Sequence, residues 1–383
     1  MRTAADHKVG MHCSRVEDPT LNSLARLLSA AAFAFLPLSA TAQEKVVNVY
    51  NWSDYVGEGV LEDFTEETGI KVVYDVYDSM EMLETKLLAG GSGYDIIVPT
   101  DRNLARMIQA GVVQKLDASK IPNLSNQWAE IATRLATYDP GNAHAANYMW
   151  GTTGIGYNVD KIKERMPDAP VDSWDMIFKP EVIAKFADCG VQVLDSADDM
   201  LPAALNYLGL DPDSKDPAEL QKAGDLLKSV RPHIQKFHSS EYINALANGD
   251  ICLAVGYSGD VLQARDRAEE ANNGVVIAYS IPKEGALIWL DSFAIPADAP
   301  HPEEAHALID FMLRPEIAAR NSNFVNYANG NEASQAQLDP AVRDDTAIYP
   351  TSETMEKLYT TTPNDPRVQR EVTRVWTEVK TGQ

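Results

Sequence analysis

Basic residues are scarce in this chain. It carries 33 Lys and Arg against 56 Asp and Glu, a formal net charge of -23 at pH 7. That balance argues against a nucleic acid or an anionic membrane surface as partner, because phosphate needs a basic patch. It suits a cationic ligand, whose encounter a negative field accelerates. An acidic surface that merely keeps an exported protein soluble fits it too. Long apolar runs are also missing: beyond the first 42 residues none reaches the ~18 apolar residues of a membrane helix. There is no short-period repeat, no low-complexity segment and no GxxxxGK phosphate loop. The acidic stretches "LDSADDM" and "DPDSKDPAEL" lack the Gly and terminal Glu register of a calcium loop, which leaves a looser aspartate cluster as the remaining metal reading. His301 and His306 stand five apart, off a common helical face, so no zinc pair is expected. "GYSGD" puts Asp260 where a nucleophile elbow needs Gly. Carboxylate pairs can do acid–base chemistry, but nothing marks a nucleophile or a cofactor, so no enzyme is expected.

Cysteine is nearly absent, and its few positions follow from the leader. Residues 1–42 read as targeting rather than fold. "LARLLSAAAFAFLPLSATAQ" holds an Arg, a short apolar run and small residues, the pattern of signal-peptidase cleavage between Ala42 and Gln43. No Cys follows the run, so a lipid anchor is not expected. The preceding "MRTAADHKVGMHCSRVEDPT" is longer and more acidic than a usual leader start, and Met11 is an alternative initiator. The mature chain is then expected in the periplasm. Of three Cys, Cys13 leaves with the leader and Cys189 and Cys252 remain. In an oxidising compartment they form either a disulfide or two buried thiols. The bridge would close a loop of about 64 residues, worth roughly 4 kcal/mol at most.

The mature chain alternates strand and helix patterns. "KVVNVYNW" reads as a strand and "GVLEDFTEETG" as a helix ending at Gly69; "IKVVYDVYD" is a second strand, and "SMEMLETKLLAGG" a helix capped by Ser79. "YDIIVPT" is a third strand and "NLARMIQAGVV" a helix. Later come the extended "YMWGTTGIGYNVD", the strand "GVQVLDS", the helices "LPAALNYLG" and "SEYINALANGD", and "ICLAVGYSGD" with a helix from Val261. Two more extended runs, "GVVIAYSIPKEG" and "ALIWLDSFAIPAD", precede a helix with Pro302 at its first position. This grammar predicts two α/β lobes joined by extended strands, a hinged clamshell.

In such sheets ligands sit beyond the carboxyl ends of strands. At those ends stand Trp52, Ser53, Asp54 and Tyr55; Thr100, Asp101 and Arg102; Asp198 and Asp199; Tyr257 and Asp260; Trp289 and Asp291; and Tyr327. A carboxylate beside an aromatic recurs. That pairing fits a flexible organic cation, whose ammonium the carboxylate neutralises and whose methylenes the ring covers, at ~0.5–2 kcal/mol per cation–π contact. The competing reading of any single Asp is a cap on the helix that follows its strand.

The stretches "VYNWSDY", "ETGIKVVYDVYDS", "YMWGTTGIGYNVDK", "APVDSWD", "FHSSEYINALANGDICLAVGYSGDV", "SIPKEGALIWLD" and "ALIDFMLRPE" together resemble the periplasmic polyamine-binding proteins, the putrescine/spermidine receptors of ABC importers. The resemblance runs from about residue 46 to the C-terminus. It implies a type II periplasmic-binding-protein fold, each lobe a mixed sheet flanked by helices. It also implies a polyamine in the cleft, delivery to an ABC permease in the inner membrane, no cofactor, no nucleic acid, and a monomer. By the resemblance, Asp54 meets a terminal amine, with Trp52, Ser53 and Tyr55 beside it. Asp260 and Asp291 are the main ammonium partners, and Tyr257, Trp289 and Tyr327 are the walls. Thr100 fills a hydroxyl position and Asp199 an acidic one, and Cys189 and Cys252 match positions that pair. Asp54 and Asp260 lean toward putrescine, Trp289 toward spermidine. Arg102 departs from the pattern: a fixed cation near a diamine site is unfavourable unless Asp101 or Asp199 neutralises it, and the expectation is that it points out of the cleft.

The lobes are expected to comprise residues 43–148 with 270–313, and 149–269 with 314–383. Rival readings are a receptor of the same fold for another cationic or amino-modified molecule, and a polyamine sensor for a membrane signalling protein.

Overall fold

The structure, a computed structural model, describes residues 45–382. The leader and its cleavage site at Ala42 lie outside them. The strands are β1 (Val46–Trp52), β2 (Lys71–Tyr77), β3 (Ile96–Ile97), β4 (Ala145–Asn158), β5 (Val191–Val193), β6 (Lys236–Phe237), β7 (Leu253–Tyr257), β8 (Ile277–Ser280), β9 (Ile288–Ala294) and β10 (Ala328–Asn329). They connect in the order β2-β1-β3-β9-β4-β7-β5-β6, with β8 and β10 also on β4. The pairs β1–β2 and β1–β3 are parallel, as are β5–β6 and β5–β7, whereas β9 runs antiparallel to both β3 and β4. Both halves are therefore mixed or parallel sheets joined through one shared strand. The first part of β4 pairs with β9 and its second part with β7 and β8.

Side-chain alternation gives the first half two covered faces. Val47, Val49, Ile96 and Val98 share one core with Phe64, Phe293 and Ile309. Tyr50 and Ile97 face the other way, onto Leu83, Leu104 and Met107. Those last residues belong to α2 (Met80–Leu88) and α3 (Asp101–Ala110), while Phe64 lies on α1 (Val60–Thr68). The second half buries Val191, Val193, Leu253 and Val255 against Trp174, Phe178, Leu227, Val375 and Trp376. The C-terminal helix Pro366–Thr381 thus packs on the second core. Helix Pro315–Val325 contributes Ile317 and Val325 to the first.

The caps follow the expected chemistry. Gly69 ends α1 at φ 70°, in the left-handed region, and the Ser79 hydroxyl accepts from the Met82 N–H. Cys189 and Cys252 are bonded with Cα atoms 5.5 Å apart, just ahead of the neighbouring strands β5 and β7.

Three helices begin earlier than their sequence pattern suggests. They start at Asp101, Ala197 and Ser258, not at Asn103, Leu201 and Val261. Each correction draws Asp residues from a strand end into a first helical turn, where the helix dipole favours them. Two long helices outside the strand-end pattern, Pro217–Val230 and Pro366–Thr381, both open on Asp-Pro. The Asp216 and Asp365 carboxylates accept backbone N–H groups there, so part of the acidic "DPDSKDPAEL" is a helix start.

Candidate ligand-binding cleft

The strand ends converge on a cavity of about 300 Å³ between the halves. All eleven expected site residues line it: Trp52, Ser53, Asp54, Tyr55, Thr100, Asp199, Tyr257, Asp260, Trp289, Asp291 and Tyr327. They arrive from the end of β1, the start of α3, the helix Ala197–Tyr207, the β7 turn into helix Ser258–Ala271, the middle of β9 and the residue before β10.

Three of its carboxylates are oriented by hydroxyl groups. Asp291 accepts from Thr100 Oγ1 at 2.7 Å and from the Tyr55 hydroxyl at 3.0 Å. Asp260 accepts from Tyr327 at 2.6 Å and Tyr242 at 2.7 Å. Asp199 accepts from Ser196 Oγ at 2.5 Å and Thr153 Oγ1 at 2.8 Å, with the Tyr257 hydroxyl at 3.4 Å. None of these side chains is spent on a backbone N–H of its own helix, so the capping alternative falls for Asp199 and Asp260. Asp291 sits in mid-strand, where no helix needs a cap.

Burial raises the Asp291 carboxyl to about 7; the hydroxyls of Thr100 and Tyr55 oppose the rise, and the charges of Asp101 and Asp260 add to it. Burial likewise lifts Asp260 to about 6 against the Tyr327 and Tyr242 hydrogen bonds. Among the described residues, Asp199, Asp260 and Asp291 form no ion pair with Lys or Arg. A desolvated acid without a cation is the signature of a site that expects one.

Aromatic rings wall the space between these acids. Trp289 stands edge-on to Tyr257 and Tyr327, with ring centres 5.7 and 5.3 Å apart, and Tyr55 meets Tyr327 at 5.3 Å. Two glycines make room for these walls. A Cβ on Gly259 would lie 2.4 Å from the Tyr327 ring, and one on Gly151 would lie 2.6 Å from the Trp289 ring.

The opening "NWSDY" stretch is more divided than its pattern suggests. Trp52 donates its indole N–H to the Val98 carbonyl at 3.1 Å, and the Ser53 hydroxyl binds Asp78 at 2.9 Å. Asp54 takes a left-handed backbone, φ 54°, and its exposed carboxylate pairs with Arg267 at 3.1 Å. Tyr55 alone of the four reaches a buried acid.

Arg102 does not reach open solvent: it is 7% exposed, and it lines both this cavity and a second pocket beside Thr361. One guanidinium nitrogen donates to the Asp198 carbonyl oxygen and to the Thr361 hydroxyl, while Nε is buried without a partner. Burial works to lower its affinity for the proton, but Asp198, Asp101 and Asp199 together outweigh that and raise it. Sequence reasoning also passed over Tyr242, Thr153 and Ser196 as the groups that orient the acids. Hydroxyl residues have no periodicity to betray them, and only the position of the acids identifies them.

Among the described residues no group of three or more His, Cys, Asp or Glu is placed to hold a metal ion, and no helix is long and apolar enough to cross a membrane. Two α/β halves sharing one strand, with a carboxylate-lined cleft at their strand ends, define a solute receptor of the periplasmic-binding-protein fold. The pattern of the bacterial extracellular solute-binding proteins matches residues 59–351, and the chain belongs to that family. It is 54% identical to the putrescine-binding periplasmic protein SpuD of Pseudomonas aeruginosa, over 90% of this chain and 94% of the relative. It is 48% identical to the putrescine-binding periplasmic protein PotF of Escherichia coli, over 94% and 98%. Among solved structures, a putative spermidine/putrescine ABC transporter protein from Listeria monocytogenes superposes with a TM-score of 0.78 at 31% identity, covering 88% of this chain and 100% of that one.

Proposed function

We propose that this chain is the extracytoplasmic receptor of a polyamine importer. It binds putrescine or spermidine in the cleft and presents the closed complex to an ABC permease, without chemistry on the ligand. The observation that carries this reading is the set of Asp199, Asp260 and Asp291. They are buried or half-buried, held by hydroxyls, walled by aromatics and, among the described residues, without an ion pair to Lys or Arg. Ammonium groups would replace the missing counter-charges, and the rings would cover the methylenes between them. The names of the two bacterial relatives support the same ligand class. In this reading Asp54 and Arg267 stand at the exposed edge, and the eleven lining residues form the ligand shell. The protein acts as a periplasmic monomer after cleavage near Ala42. The core clusters support two lobes that exchange chain through β4, with helix Pro315–Val325 on the first and helix Pro366–Thr381 on the second.

Calorimetric titration of the mature protein with putrescine, cadaverine, spermidine and spermine tests the reading. Saturable binding of at least one is expected, and absence of binding by all four would overturn it.

A further inference from the structure

The cleft is not uniform in charge along its length. Asp260 and Asp291 share one region with Tyr327, Trp289 and Tyr55; among the described residues no lysine or arginine pairs with them, and Arg267, within Coulombic reach of Asp260, is itself paired with Asp54. Asp199 lies in a different setting. Asp101 and Asp198 are near it in sequence or space, and the guanidinium of Arg102 lies within Coulombic reach of all three. Arg102 is fixed rather than free to swing away. It is 7% exposed, and it ties α3 of the first half to the Asp198 carbonyl on the second and to the Thr361 hydroxyl. A buried arginine stays charged at every physiological pH. The Asp199 end therefore holds a permanent positive charge of the protein's own, within the wall of the cavity that receives the ligand.

Resting on the polyamine reading above, we propose that Arg102 is a specificity-determining residue that restricts this receptor to diamines. A diammonium ligand places its charges where Asp260 and Asp291 take them, away from the guanidinium. A triamine must bring a further ammonium toward the guanidinium end, where part of the carboxylate charge is already neutralised and the added cation meets a like charge. In this conformation the space of about 300 Å³ exceeds what a four-carbon diamine fills, so its size alone does not separate the two ligands. Charge separates them. Two like charges about 6 Å apart at an effective dielectric near 20 repel enough to cost tenfold or more in affinity. Selectivity arises here from a repulsive element as well as from attraction to the favoured ligand.

The test compares dissociation constants for putrescine and spermidine in the wild type, Arg102→Gln and Arg102→Lys, measured by calorimetry on the mature protein. Wild type is expected to prefer putrescine. Arg102→Gln should shift the spermidine-to-putrescine affinity ratio toward spermidine by at least about tenfold, and Arg102→Lys should keep the wild-type preference. A purely structural role for Arg102 would weaken both ligands in parallel, and an unchanged ratio in Arg102→Gln overturns the proposal while leaving the polyamine reading intact. Wild type that binds neither ligand overturns the polyamine reading and this proposal with it. A second measurement needs no variant. N-butylputrescine has the length of spermidine but ends in a methyl group instead of the third ammonium. Wild type should bind it more tightly than spermidine, and the reverse order overturns the proposal even if Arg102→Gln does not fold.

Discussion

A carboxyl group that stays partly protonated near neutral pH couples ligand binding to protons. Asp291 at about 7 and Asp260 at about 6 lie above the ordinary aspartate value of 3.8 because burial disfavours their charged forms. A cationic ligand needs both ionised, so binding near pH 6 should expel protons. Affinity should rise from pH 5 to pH 8 by at least about tenfold. Calorimetry at pH 6 in two buffers of different ionisation enthalpy measures the released protons directly. The same shifts give the stability of the empty protein the opposite slope. Between about pH 4 and pH 7 the folded form holds protons that the unfolded chain has already released, so stability falls as pH rises through that window. Ligand removes the slope. Substitution ranks the acids: Asp291→Asn and Asp260→Asn should each lose more than about a hundredfold in polyamine affinity. Asp54→Asn should lose less than about tenfold, because that carboxylate is exposed and already paired with Arg267. Equal losses at all three would mean that burial does not rank these acids.

The elements that hold these residues were legible wherever the chain repeats a period or carries a stop. The alternation in "KVVNVYNW", the apolar run in "YDIIVPT" and the glycine after "FTEET" marked β1, the strand around β3 and α1. Helix starts at Asp101, Ala197 and Ser258 were not legible, because an aspartate after a strand is equally at home as a cap or in a first turn. Only the tertiary hydroxyls of Tyr327, Tyr242, Thr153 and Ser196 show where those carboxylates turn. The aromatics and acids of the cleft were visible because they stand together at strand ends, but the pairs they form, such as Tyr55–Asp291 and Tyr327–Asp260, join remote positions. Arg102 was misplaced because its partners, Asp198 and Thr361, are remote in sequence. Two changes test how the second half is built. Breaking the Cys189–Cys252 bond by Cys→Ser at both positions should cost about 2–4 kcal/mol of stability, read by denaturant unfolding, with little change in polyamine affinity. Gly259→Ala should do the reverse. Its new Cβ would push the Tyr327 ring and with it the Tyr327–Asp260 hydrogen bond, so affinity should fall by more than tenfold, roughly the loss of a hydrogen bond to a charged group.

At the scale of the whole molecule the excess of acid becomes a rate effect. With a formal charge of -23, the field around the chain attracts a polyvalent cation before any side chain touches it. Many of the acids that produce this field are exposed on the surface and are screened over a Debye length of about 8 Å at physiological salt. The cleft acids Asp199 and Asp291 are buried and screened far less. The two kinetic constants should therefore separate. Stopped-flow fluorescence, with Trp52 and Trp289 in the cavity wall as reporters, can follow polyamine binding as salt is raised from about 0.02 M to about 0.5 M. The association rate constant should fall by about tenfold or more, and more steeply for a triamine than for a diamine because steering grows with ligand charge. The dissociation rate constant should change much less, because leaving the cleft breaks contacts that the salt does not reach. An association rate that stays flat across that range would mean that the acidic surface serves solubility alone, with the cleft finding its ligand by unaided diffusion.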